Sequence, residues 1–305
     1  MINLLRADFS RLIKNKFFLC SSFIVLLLSL YYGQSNAVIN PQDGVESTMY
    51  PFEAMPVLAF IIAVFTTFFI GVNFSSKVIS NKLSSGASKS HIYLSNAVVS
   101  LVVSVYLSLF YIIAGIRLMA SGKFPADIYF SFVLIGAVLS VTFSALSTFF
   151  AFVLRTSSVA VVVSALLIAV MFLVTNHLGS ILGQSEFTMR IETVNGVPYN
   201  NAEVIPNDAD ITYTEVPNPE YCDGVKRNVY QFISDVLPTS HLAIISNMNI
   251  SSSEDGVFFT PRWSATVEVK SASEVFDYVN IAYPLGLSVF ITALGVLLFR
   301  KKQLS

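Results

Sequence analysis

The sequence predicts an all-α polytopic membrane protein with six transmembrane helices. Three observations carry that prediction: a composition too apolar for a soluble coat, six apolar runs of spanning length, and a one-sided distribution of basic residues. The 305 residues are 54% hydrophobic and 12% charged, with 26 Phe and a mean hydropathy of +0.68. An ordinary soluble domain carries about twice that charged fraction. The predicted fold has cytoplasmic N- and C-termini, an N-terminal interfacial amphipathic helix, and a small mixed α/β extracellular module between helices 5 and 6.

Residues 1–16 form the interfacial helix. Ile2, Leu5, Phe9, Leu12 and Ile13 recur at helical spacing, with Arg6, Arg11 and Lys14 on the opposite side. That is the pattern of a helix lying on a membrane, its basic face toward headgroups. A signal-peptide reading, with cleavage near Ser35-Asn36-Ala37, is the alternative, although a 15-residue amphipathic lead is long for it.

The apolar runs at 17–33, 56–74, 92–117, 127–154, 158–182 and 278–299 are each long enough to cross a hydrocarbon core of roughly 30 Å. The first is marginal in length, with Tyr31 and Tyr32 placed like an interfacial aromatic belt. None carries a charge near its middle. Pro56, Pro125 and Pro284 sit near span ends, where a missing backbone donor is tolerated.

Orientation follows from charge. With the N-terminus inside, the inner segments hold 11 basic residues against one acid, Asp8, and the outer segments hold 7 against 18 acids. Basic residues in short loops remain cytoplasmic. Arg117 and Lys123 are the local dissent.

The inner loop at 74–92 is a basic polar island. Lys77, Lys82 and Lys89 are its charges, and no acid accompanies them. Lys77, Asn81 and Ser84 share a helical face, Gly86 supplies a stop, and Ser88 caps the helix that follows.

The outer segment 183–277 contains 14 of the 19 acids. Residues 189–194 read as a strand entering a tight turn at Asn195-Gly196. Residues 262–270 alternate like a half-buried strand, and 225–247 read as an amphipathic helix broken at Leu237-Pro238. Cys20 and Cys222 fall too far apart in this topology to bridge. Each reads as a free thiol, with an intermolecular bridge at Cys222 the lesser option. Residues 278–299 close the membrane domain, and 300–305 form a basic cytoplasmic tail.

The chain carries no catalytic constellation. No Gly-x-x-x-x-Gly-Lys-Ser/Thr loop and no Gly-x-Ser-x-Gly elbow occurs, and His91, His177 and His241 fall in separate segments without metal spacing. No intramembrane charge marks an ion-coupled pump. A six-span protein without its own energy source is either passive or driven by another polypeptide.

Four stretches then carry a family resemblance: the basic lead NLLRADFSRLIKNKFF, the loop FFIGVNFSSKVISNKLSSGASKSHIYLSN, the late VYQFISDVLPTSHLAIISNM and the closing LGVLLFRKKQLS. In order, spacing and charge the chain resembles the membrane permease subunit of type-2 ABC exporters of the bacterial drug, antibiotic-resistance and peptide-export kind. Residues 186–226 lie outside the resemblance and look like an insertion.

The resemblance implies a permease that is not itself an enzyme and works in the plasma membrane, embedded in lipid. It implies pairing with a second permease copy, identical or related, and docking of separate ABC ATPase subunits that bind ATP and Mg. No cofactor on this chain and no nucleic-acid partner is implied. ATPase-coupling positions would be Lys77, Asn81, Lys82, Gly86 and Ser88 in the loop and Arg11 and Lys14 in the lead, and ordinary positive-inside retention accounts for the lysines equally well. Thr66, Thr67, Asn73 and Ser164 would face a substrate pathway, the alternative being hydroxyls that bond their own helix backbone. Pro238 would mark an extracellular gate, or simply a turn after an outer helix. The cargo implied is an amphipathic or hydrophobic compound: a peptide antibiotic, a drug or a lipid-like molecule. The rival function is a non-transport membrane protein, an immunity or sensor protein whose outer module binds a ligand.

Overall fold

The computed structural model of this chain describes residues 1–34, 47–49, 52–113, 116, 126–194, 197–198, 211–246, 248–253, 256–261, 267–268 and 281–301. The Ser35-Asn36-Ala37 and Asn195-Gly196 readings, Arg117, Lys123, Pro125 and most of residues 262–270 lie outside them.

Ten helices are laid out in sequence order among the described residues: α1 (Ile2–Ile13), α2 (Lys16–Gln34), α3 (Met55–Ser75), α4 (Val78–Ser84), α5 (Lys89–Ser108), α6 (Ala126–Leu154), α7 (Ser157–Leu182), α8 (Gly224–Val236), α9 (Pro238–Ser246) and α10 (Ala282–Lys301). Five helical stretches are long and apolar enough to cross a membrane: Met55–Ser75, Lys89–Ile113, Tyr129–Leu154, Ser157–Leu182 and Ala282–Lys301. A sixth arises if α1 and α2, which meet at 64°, count as one broken span. Local chemistry places the breaks. The Asn15 side chain accepts the Phe17 N–H at 2.8 Å and so starts α2. Pro56 sits in the first turn of α3, where no donor is lost. The chain is a polytopic helical membrane protein.

The chain separates into two compact units, Met1–Thr175 with Asp235–Ser305, and Asn176–Ser234. In the first unit α6 is central, packing against α3, α5 and α10. Its hydroxyl side chains make close packing possible. Ser140 and Ser147 donate back to the carbonyls of Ala137 and Phe143, each at 2.7 Å, and Thr142 donates to the Pro284 carbonyl of α10 at 3.1 Å. The same unit holds four antiparallel strands, β1 (Ser47–Met49), β5 (Met248–Ser253), β6 (Gly256–Pro261) and β7 (Val267–Glu268), in that order across the sheet. The second unit holds a three-stranded antiparallel sheet with β2 (Phe187–Val194) between β3 (Val197–Pro198) and β4 (Ile211–Pro217), and a bulge at Ile191/Thr193. Val194 of β2 pairs with Val197 of β3.

Two differences from the sequence reading have physical causes. The described residues of 183–277 are divided between the two units at Ser234 and Asp235, and β1, from the connection between α2 and α3, supplies the edge strand next to β5. Also, α9 packs against α6 and α3. Along α1, the inward face is not the apolar stripe alone. Asp8 and Leu12 are buried and Leu5 and Phe9 half-buried, whereas Ile2 and Ile13 are exposed. A helix takes only one stripe inward, and a charge with partners waiting there wins the place.

Candidate functional site

Helix α4 is a seven-residue helix held at both ends by backbone geometry. Lys77 precedes it in the left-handed region at φ 57, an uncommon place for a residue with a side chain. At the other end, Gly86 at φ +87 closes a Schellman motif, with Ala87 N–H donating to the Lys82 carbonyl at 3.1 Å and Gly86 N–H to the Leu83 carbonyl at 2.9 Å. Two residues later Ser88 Oγ accepts the His91 N–H at 3.3 Å and starts α5. Ile79 is the buried apolar anchor of α4. The two short stops thus fix α4 between the ends of α3 and α5.

A charged knot ties α4 to α1 and α5. The Lys82 ammonium donates to Asp8 Oδ1 at 2.5 Å, and Ser95 Oγ donates to Asp8 Oδ2 at 2.7 Å. Arg11 Nη1 lies 4.0 Å from Asp8 Oδ1. Asp8 is fully buried and Lys82 nearly so. A carboxylate in that setting is tolerable only because both oxygens are occupied by donors, one of them charged. Charge-assisted bonds of this kind fix geometry more firmly than neutral ones.

The candidate coupling residues therefore divide. Lys77, Asn81, Gly86, Ser88 and Lys14 are exposed, and Arg11 is half-exposed. Lys82 is turned inward, which suits it to positioning α4 rather than to meeting a partner directly. The sequence reading also passed over Asp8. Its signal was available, since Asp8 is the one acid among the basic residues assigned to the inner side.

A ring cluster backs the knot. Phe152 of α6 lies 4.7 Å from Tyr93 of α5, 4.8 Å from Phe299 of α10 and 5.4 Å from Phe74 of α3, centroid to centroid. These edge-on and tilted contacts join the ends of four helices next to α4. Gly295 admits Tyr93: a Cβ there would sit 2.1 Å from the phenolic oxygen.

The candidate pathway residues are all buried, but they are occupied differently. Thr67 Oγ1 donates to the Ala63 carbonyl of its own helix at 2.6 Å. Asn73 Nδ2 donates to Asn96 Oδ1 of α5 at 3.3 Å, and Asn96 in turn donates to the Ile92 carbonyl. Thr66 Oγ1 and Ser164 Oγ have no hydrogen-bond partner among the described residues. Helices α3 and α7, which carry them, touch on either side: Phe60 stacks on Phe172 at 6.0 Å, and a Cβ on Gly71 would fall 2.4 Å from Ser157 Cα.

Pro238 is buried at the start of α9. Thr239 Oγ1 and Ser240 Oγ bond Thr175 Oγ1 of α7 at 2.7 and 3.2 Å, and His241 Nε2 bonds the Asp235 carbonyl oxygen at 2.8 Å. Polar residues in this run are buried because each finds a partner. Among the described residues no group of three or more His, Cys, Asp or Glu could hold a metal, and both cysteines are free.

Residues 76–304 match the model of a family described as ABC-2 family transporter protein. No curated protein matches the chain.

Proposed function

The chain belongs to the ABC-2 family of transporter proteins, as a membrane permease component, and on that premise we propose that it exports an amphipathic or hydrophobic compound across the plasma membrane of a bacterium. The observation that carries the proposal is the Asp8–Lys82–Ser95 knot. It makes α1, α4 and α5 move as one lever, with Lys77, Asn81 and Lys14 on the outside of that lever. A partner ABC ATPase, holding ATP and Mg, docks on this surface. Its closure on nucleotide pulls α4, and the rigid junction passes the displacement to α3 and α5.

The distribution of 11 basic residues against one acid supports placing this surface in the cytoplasm. The acidic segment 183–277 then lies outside, and Pro238 starts the helix that would close the pathway there. A second permease copy completes the transporter. Apolar spans, and the unpartnered hydroxyls of the candidate pathway residues Thr66 and Ser164, favour cargo with a large apolar part and an occasional polar group, such as a peptide antibiotic or drug, so resistance to such a compound is the expected phenotype.

Purifying the chain together with its ATPase tests the reading. The complex should hydrolyse ATP faster than the ATPase alone and should move a hydrophobic dye outward in vesicles. A complex that assembles and neither hydrolyses nor transports overturns it.

A further inference from the structure

A groove of about 720 Å³ lies between α5, α6 and α10, away from the α3 and α7 residues assigned to the pathway. Its volume is within the range of small-molecule sites. Leu101, Val141, Ala145, Val289 and Leu297 are among its walls, and six of the other nine lining residues are apolar, the exceptions being the hydroxyl residues Ser144, Ser288 and Thr292. Leu101, Val289 and Leu297 are 40%, 70% and 55% exposed, so the groove opens outward from the helix bundle. Along α10 it runs from Leu285 to Leu297, about 18 Å at 1.5 Å per residue. That is close to the depth of one leaflet, half of a hydrocarbon core of roughly 30 Å.

Charge marks one end. Leu94 and Leu297 line the groove one to two turns from Lys89, Arg300 and Lys301. Lys89 Nζ donates to the Arg300 carbonyl at 3.4 Å, which brings the start of α5 and the end of α10 together. Arg300 and Lys301 are exposed. The opposite end of the groove, at Leu285, is flanked on α10 by Pro284 and Tyr283 and carries no charge on that helix.

We propose that this groove holds an acyl chain of an anionic phospholipid, whose phosphate rests on Lys89, Arg300 and Lys301. An apolar trough of one-leaflet depth suits a single chain, and a basic mouth selects an anionic headgroup over a zwitterionic one. The bound lipid would brace α10 against α5 and α6 next to the Phe152 cluster, and its presence does not depend on what the transporter carries.

Native mass spectrometry of the full-length protein tests this, with phosphatidylglycerol and phosphatidylcholine of identical chains added in equal amounts. Retention of phosphatidylglycerol over phosphatidylcholine is expected, and either Arg300→Gln or Lys301→Gln should lower the preference about fivefold. Ala145→Trp, which fills the trough, should strip both lipids. Should that variant fail to fold, the two exposed variants on the mouth decide the matter. Equal retention of the two lipids, no retained lipid, or a preference untouched by Arg300→Gln and Lys301→Gln overturns the proposal. So does an efficient disulfide between protomers through Leu101→Cys, which would show a second copy in the groove instead.

Discussion

Lys82 of α4 reaches across 74 positions of sequence to donate to Asp8 of α1 at 2.5 Å, and both side chains are buried. An ion pair at this depth contributes little net stability against an apolar replacement, yet breaking one half of it is costly. Its value lies in register: α4 can sit on α1 in one way only.

Removing one partner should therefore expose the arrangement. Asp8→Leu leaves the Lys82 ammonium unpaired and should cost about 3–5 kcal/mol. Asp8→Leu with Lys82→Met should recover most of that loss, since no buried charge remains. Thermal unfolding of the four proteins in detergent, arranged as a double-mutant cycle, measures the coupling.

Gly86 separates backbone strain from packing. Its φ of +87 is unfavourable for a side chain, yet a Cβ there meets nothing within 4 Å. Gly86→Ala should cost about 1–2 kcal/mol from the left-handed backbone alone, with Gly86→Asn milder. The readout is stimulation of the partner ATPase in complexes that still assemble, which should fall in the same order.

Gly71 is a packing glycine of a different kind. The obstacle to a side chain there is the Ser157 backbone of α7, which cannot rotate away. Gly71→Ala should force α3 and α7 apart, lowering stability by about 1–3 kcal/mol. A drop in Tm with secondary structure intact would register it.

Thr66 and Ser164 are expected to behave against intuition. A buried hydroxyl without a partner carries an unrecovered desolvation cost of about 1–3 kcal/mol, so Thr66→Val and Ser164→Ala should leave Tm unchanged or raise it. Transport of the cargo should fall nonetheless. Stability and transport falling together would assign these residues to packing.

Much of this was legible in the sequence because long apolar runs and helix stops are local signals. The spans, Gly86 and Ser88 announce themselves within a few residues. Asp8 does not, because its partners Lys82 and Ser95 lie 74 and 87 positions away, and only the fold brings them together. The burial of α9 was equally hidden. Thr239, Ser240 and His241 are polar residues whose partners, Thr175 and the Asp235 carbonyl, only the fold identifies. The strand β1 depends on pairing with β5, some 200 positions on, and three residues of it carry no pattern of their own.

Site-specific photocrosslinking decides whether force enters through the α1–α4 junction. A photoreactive phenylalanine replaces exposed Asn81 in the assembled transporter, and a second one replaces Val289 in the groove as a control. Position 81 should give an adduct with the ATPase, strengthened when nucleotide closes the ATPase, and position 289 should give none. An assembled, ATP-hydrolysing complex that yields no adduct at 81 would contradict that route for the force.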